Sequence, residues 1–237
     1  MDDAFERALR ALRSADVADD QLSRPFALAL PMGGVSISTF GELCPSETVS
    51  ATDEVATRID EIQLDLSEGP CWAALSTDAP VLETDLVERP NAAWPAFNEA
   101  VRSEPVGAVF AFPVVFGPFP LGAIDVYVPQ PATIEEDTVR QAMTLASAVS
   151  RRVLRRALRS IADQDDALLD RSPSSRRVVH QATGVVLAQL DISPEDAYLL
   201  LQGHAFARRT TMRRVAEEIL DGTVRFEKRG DLIEEVQ

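Results

Sequence analysis

The stretch that decides the fold is RRVVHQATGVVLAQLDISPEDAYLLLQGHAFARRTTMRRVAEEILDG, residues 176–222. Val179, Ala182, Val186 and Leu190 recur at three- and four-residue steps, the period of one helical face. Ser193-Pro194-Glu195-Asp196 follows, with an N-cap serine, a proline suited to the first helical position and an acid that can close a capping box. A second helix starts there, with Ala197, Leu200, Leu201 and Ala205 on one side. It stops near Arg208-Arg209-Thr210-Thr211, where a threonine can cap a third. Met212, Val215, Ala216, Ile219 and Leu220 form the stripe of the third helix, and Gly222 is a usual stop. Small residues at Ala182, Gly184, Ala197, Ala205 and Ala216 would let the axes approach closely, so the stretch predicts a compact three-helix bundle.

Upstream, Ser172-Pro173-Ser174-Ser175 interrupts helical patterning, because proline lacks an amide proton and restrains its predecessor. This is the expected domain junction and hinge. Before it, Ile134 to Leu169 predicts one long helix whose first half closes a sheet and whose second half projects. Val139, Ala142, Ala146, Val149 and Val153 follow a heptad rhythm, so a homodimer through helix 134–169 is expected. Arg151, Arg152, Arg155, Arg156 and Arg159 cluster along it as a solvated flank or as partners for acids of the preceding domain.

Further upstream, residues 2–18 read as a helix with Phe5, Leu9 and Leu12 on one face, and Gly33–Phe40 alternates as a short strand. Asp53–Leu66 returns to helical spacing until Glu68-Gly69-Pro70-Cys71 breaks it. Pro80–Thr84 predicts a brief strand, and a Pro-rich loop runs through Pro90 and Pro95, pinned by Trp94 and Phe97. Gly107–Phe116 and Gly122–Val128 predict two strands joined through Gly117-Pro118-Phe119-Pro120. Strands followed by helices point to an α+β class, with an antiparallel sheet and a separate all-α tail. The expected division is 1–24 for an N-terminal helix, 25–150 for the sheet domain, 151–172 for the connecting helix, 173–222 for the bundle and 223–237 for a tail.

Charge supports two domains. Residues 1–150 carry eight arginines against 24 acids, and residues 151–237 carry 15 basic against 14 acidic residues. The acidic front half repels nucleic acid and anionic membrane; the back half does not. No apolar run approaches the length of a membrane span. Asp2 and Asp3 stand where a secretory signal would be basic, so a cytoplasmic, reduced setting is expected for Cys44 and Cys71. Cys71 has no basic neighbour in sequence to lower its pKa and reads as a buried small hydrophobe rather than a redox sensor. The chain has no Gly-rich phosphate loop, Gly-x-Ser-x-Gly, His-x-x-x-His or close Cys/His pair, so no catalysis, cofactor or metal is expected.

Glu68-Gly69-Pro70-Cys71, the Asp85-Leu86 and Trp94-Pro95 pairs, Phe112-Pro113 and Leu121-Gly122-Ala123-Ile124 resemble the GAF sensor domains of actinobacterial regulators. Ala182, Gly184, Glu195, Ala197, Ala205 and Val215-Ala216 resemble the ANTAR domain. That resemblance implies a regulator that holds paired RNA stem-loops, prevents a terminator hairpin and commonly acts as a dimer. A small ligand or signalling protein would act at the GAF-like part. For RNA it points to Arg176, Arg177, Arg208, Arg209, Arg213 and Arg214 on phosphates. Gln181, Thr183, His204, Thr210 and Thr211 would meet loop bases, and Gly184 would permit close approach. The family commonly has Lys where Thr183 stands and Arg where Gln202 stands. Trp72, Trp94, Phe97 and Phe112 are the residues that could line a sensor pocket, although aromatics near a sheet are core first. Two other readings fit the tail: a helix-turn-helix that binds duplex DNA, and a protein-interaction or dimer module.

Overall fold

A computed structural model describes residues 3–14, 17–40, 44, 46–163, 175–229 and 232–236, with backbone alone for 157–163, 175, 176, 229 and 232. It divides into two units, Met1–Asp170 and Arg171–Gln237. The Ser172–Ser174 part of the expected hinge and the expected helix end at 164–169 lie outside the described residues.

The first unit runs α1 (Asp3–Arg13), a single 3-10 turn (Asp19–Gln21), α2 (Ser23–Ala29), β1 (Val35–Thr39), β2 (Glu47–Ala51), α3 (Glu54–Leu66), α4 (Pro70–Thr77) and β3 (Val81–Glu83). It continues through α5 (Pro95–Val101), β4 (Ala108–Phe116), β5 (Phe119–Val128) and α6 (Glu136–Asp163). The five strands pair antiparallel in the order β2-β1-β5-β4-β3. Alternate strand residues serve opposite faces. Ile37, Phe110, Phe112, Ile124 and Val126 join a core with Phe5, Leu9 and Leu12 of α1, Phe26 of α2, and Leu145, Val149 and Val153 of α6. On the other face, Val109 packs with Ile59, Ile62, Phe97 and Val101 of α3 and α5, and Ala123 packs with Phe40, Leu64 and Cys71. All five residues of β1 are buried, because helices cover both faces.

In the first unit the residue pattern did not show α2, β2 or α4, and α5 begins inside the segment read as a Pro-rich loop. The Pro-rich segment expected as a loop turns helical at Pro95, where Glu68 accepts hydrogen bonds from the amides of Ala96 (2.9 Å) and Phe97 (3.2 Å). An acid 28 residues upstream thus caps α5 and sits favourably at its positive end. Hydroxyl contacts tie α2 to β2: Ser50 Oγ lies 2.8 Å from Ser23 Oγ and donates to Asp20 O at 2.8 Å.

The heptad stripe of α6 does not present a dimer face. Ala142, Ala146, Val149 and Val153 are buried within the first unit, against the sheet and α1. A helix lying on a sheet and a neighbouring helix hides the same apolar repeat that a coiled coil would. The later part of α6 is held as well. The Arg152 guanidinium donates to the carbonyls of Ser14 (3.0 Å) and Val17 and to Asp19 (3.2 Å), and Arg156 donates to Glu47 Oε1 (2.8 Å). These two arginines pair with acids of their own unit, while Arg151 and Arg155 are exposed.

The second unit has α7 (Ser175–Leu190), α8 (Pro194–Ala207), α9 (Met212–Leu220) and a hairpin of β6 (Arg225–Arg229) and β7 (Leu232–Val236). Val179, Ala182, Val186, Leu190, Ala197, Leu201, Ala205, Met212, Val215, Ala216 and Ile219 form its core. Its caps are local: Ser193 Oγ accepts from the Asp196 amide, and Thr211 Oγ1 from that of Arg214. The three helices are those expected, and the hairpin adds two strands in the segment expected as a tail. Val224 and Phe226 enter the bundle core, and the Phe226 amide donates to Gln189 Oε1 at 3.2 Å.

Candidate functional site

On α7, Arg177, Gln181 and Gly184 are exposed and follow helical steps of three and four residues. A Cβ built on Gly184 would meet nothing within 4 Å, so the glycine faces open space and does not mediate helix packing as the sequence reading had it. Thr183, read as a base contact, is buried, and its hydroxyl donates to Val179 O at 2.8 Å. A threonine bonding back to the preceding turn has its donor engaged and points inward. The Arg176 side chain lies outside the described residues.

The other arginines gather where α8 turns into α9. Glu218 accepts from Arg208 Nη1 at 2.7 Å and from Arg214 Nε at 3.2 Å, while Glu217 accepts from Arg213 Nε at 3.0 Å. One acid thus fixes two guanidinium groups, one from the turn that ends α8 and one from α9. The turn closes through the Thr210 amide, which donates to Ala205 O at 3.0 Å, and leaves Arg209 exposed at φ +52°. That left-handed conformation is usually left to glycine or asparagine at a helix end. Thr210 is half-buried. Thr211 is buried as the α9 cap, which corrects its reading as a base contact.

His204 is half-buried, with its ring edge-on to Phe226 (5.2 Å between centroids) and Nε2 3.6 Å from Glu235 Oε2. Burial pushes its pKa down, the Glu235 carboxylate opposes this, and Arg208 adds to the lowering. The hairpin thus braces the imidazole through Phe226 and Glu235.

In the first unit the four aromatic residues expected to line a pocket do not converge. Phe112 faces the α1/α6 side of the sheet; Trp72, Trp94 and Phe97 lie on the other. Trp72 leans on Phe40 at 4.5 Å and donates from Nε1 to Gln63 O at 2.8 Å. Trp94 and Phe97 meet edge-on at 6.4 Å. They are core residues.

A polar network that the sequence reading missed lies under the α3/α4 side. Asp60 and Gln63 of α3 and Asp125 of β5 are all buried. Gln63 Nε2 donates to Asp125 Oδ2 (2.6 Å), Gln63 Oε1 accepts from the Cys71 amide (2.8 Å), and Thr48 donates to Asp60 Oδ2 (2.5 Å). Burial pushes the Asp125 carboxyl well above the usual carboxylate range, and the nearby Asp60 carboxyl raises it further. Burial and the same two acids push the Cys71 thiol up, which opposes formation of a reactive thiolate. One signal was available in sequence: Asp125 interrupts an otherwise apolar central strand.

The five-stranded antiparallel sheet between helical layers defines a GAF fold for the first unit. It is similar to the GAF domain of a phosphoenolpyruvate-protein phosphotransferase from Coxiella burnetii, at 14% identity over 68% of this chain and 99% of that one, with a TM-score of 0.52. It is also similar to the GAF domain of the Acinetobacter phosphoenolpyruvate-protein phosphotransferase, at 17% identity over 66% of this chain and 93% of that one, with a TM-score of 0.50. At such identities the likeness shows the fold alone. Residues 167–220 match the family model of the ANTAR domain, so a GAF-like unit is followed by an ANTAR domain in this chain. A search of curated proteins returned no match. No helix among the described residues is long and apolar enough to cross a membrane.

Proposed function

We propose that this chain is a signal-responsive, non-catalytic antitermination regulator of the cytoplasm. Its second unit binds RNA carrying two adjacent stem-loops, and its first unit senses a small ligand or a signalling protein. The observation that carries this reading is the convergence of Arg208, Arg209, Arg213 and Arg214 on one corner, with Glu217 and Glu218 holding three of them in place. Phosphate recognition needs several guanidinium groups presented together, and a corner ordered in advance loses less side-chain entropy on binding. The same acids compete with phosphate, so the corner favours modest affinity that tightens when the acids release their arginines. Arg177, Gln181 and Gly184 add an exposed stripe on α7.

The test is affinity for a two-stem-loop RNA across salt concentrations. Arg208→Ala and Arg214→Ala should each weaken binding and lower the salt slope by about one unit. No binding at low salt would sink the reading. A preference for palindromic duplex DNA over hairpin RNA would replace it with the helix-turn-helix alternative.

A further inference from the structure

A cleft of about 440 Å³ opens in the second unit between α7 and β6, a volume within the range of small-molecule clefts. Val185 and Gln189 of α7 line one side, Arg225 and Glu227 of β6 the other, and Leu220 of α9 borders both. Val185 is half-buried and Leu220 is 41% exposed, so the cleft has apolar walls that are partly open. The Phe226 amide donates to Gln189 Oε1 at 3.2 Å. A backbone N–H can only donate, which fixes the side-chain oxygen on the strand and leaves both Nε2 hydrogens without a partner among the described residues. Arg225 is exposed, and its Nη2 lies 3.7 Å from where a Cβ on Gly222 would stand, over the turn that ends α9. It makes no ion pair among the described residues, whereas Arg208, Arg213 and Arg214 are each held by an acid.

On α7 the row Arg177, Gln181, Val185 and Gln189 recurs at steps of four, so the cleft continues the face on which Arg177 and Gln181 are exposed. Twelve residues of helix separate its ends by about 18 Å, room for a few nucleotides of single strand. β6 starts beyond residue 220, where the match to the ANTAR model ends, so the cleft is built in part by chain outside that module. We infer that the cleft receives one unpaired nucleotide of the RNA, its base between Val185 and Leu220 and its phosphate on Arg225. An acceptor on the base edge takes the Gln189 Nε2 hydrogens. This placement rests on the RNA reading above and adds the point at which a loop base is held. Glu227, in the same cleft, accepts from a base amino group and repels a second phosphate, so one nucleotide enters and the strand does not run along the cleft. A peptide strand fits less well. It would add to the edge of β6 through backbone amides, and that of Phe226 is already taken by Gln189.

The experiment measures affinity of the full chain for a two-stem-loop RNA whose loop nucleotides are replaced one at a time by abasic units. At one loop position the missing base should weaken binding to the wild type about tenfold. Gln189→Glu keeps an acceptor for the Phe226 amide and removes the Nε2 donor, so the hairpin stays docked. It should weaken binding to the intact RNA about tenfold and be indifferent to the abasic unit at that one position, the signature of two groups that touch. Arg225→Ala should weaken binding about fivefold and lower the salt slope by about one unit. Neither variant should change affinity for an RNA duplex without loops, and both should keep the wild-type urea midpoint.

RNA binding that both variants leave unchanged, while Arg208→Ala weakens it, overturns the cleft and keeps the RNA reading. So does a Gln189→Glu chain as sensitive to every abasic position as the wild type. Free nucleoside monophosphates that compete with the RNA for Arg225 and Gln189 at micromolar concentration would make the cleft a free-nucleotide site and overturn its assignment to a loop base. A wild-type chain that binds no RNA at low salt removes the RNA reading and the cleft together.

Discussion

Asp125 and Glu218 are both acids beside other charged groups, and the two units treat them in opposite ways. Asp125 is buried in the central strand of the GAF fold, near another acid. Gln63 donates to one of its oxygens, and the other has no hydrogen-bond partner among the described residues. Glu218 lies at the surface corner of the ANTAR unit and accepts from two arginines. A charge without a counter-ion in the interior costs stability, while a surface charge that fixes arginines adds little to stability and much to arrangement. The first unit is therefore sensitive to what happens beneath its sheet, and the second to what happens on its surface.

The comparison breaks first on glycine. A Cβ at Gly33 would stand 1.9 Å from Tyr127 O, a backbone atom of the neighbouring strand. Gly33→Ala should cost about 3 kcal/mol or more, because relief requires β1 to move from β5. Chemical unfolding would show it, and a loss below about 0.5 kcal/mol would mean the strands separate more easily than this packing allows.

Next is Asp125→Asn. The folded pKa of Asp125 lies above its unfolded value, so the folded chain holds that proton more tightly. Its contribution is fully present below the unfolded value of about 3.9 and is lost as pH rises through the raised folded value. Asparagine keeps an acceptor for Gln63 and supplies a donor in place of the orphaned oxygen. The variant should be more stable than the wild type by about 1–3 kcal/mol at pH 8, with the difference vanishing near pH 4. Urea midpoints at both pH values decide it; equal stability at pH 8 would show that the pair is relieved by another route.

How far sequence reached follows from the range of the interactions. α3, α8 and α9 were legible because Asp53, Ser193 and Thr211 cap them from within their own first turn. α5 was masked within the Pro-rich loop because its cap, Glu68, arrives from the distant α3–α4 connection, and β2 was hidden because the Ser23–Ser50 contact spans 27 residues. The hairpin β6–β7 is rich in charge, and only Val224 and Phe226 anchor it to the core. The arginines were legible as a cluster. Their pairing was not, since Arg208 reaches Glu218 across a turn between helices. The α6 stripe misled because a heptad rhythm does not say which partner covers it.

On the surface side, Glu218→Gln removes the charge that restrains Arg208 and Arg214. RNA affinity should rise about fivefold at low salt and the salt slope should steepen, as two guanidinium groups turn to phosphate. Stability should fall by less than about 1 kcal/mol, because the arginine side of each pair is exposed. Weaker RNA binding in this variant would mean that Glu218 orients the arginines more than it competes for them.

The smallest effect contrasts most directly with Gly33. Gly184 lies inside α7 with open space where a side chain would go. Alanine removes the backbone entropy cost of a helical glycine and meets no neighbour, so Gly184→Ala should stabilise the chain by about 0.8 kcal/mol in urea unfolding. On the stripe shared with Arg177 and Gln181 the added methyl should also hold RNA farther away, so affinity should fall as stability rises. A destabilised variant would show that the α7 face is covered in the folded chain. An affinity unchanged by the methyl would remove Gly184 from the RNA contact and leave the interface to the arginine corner.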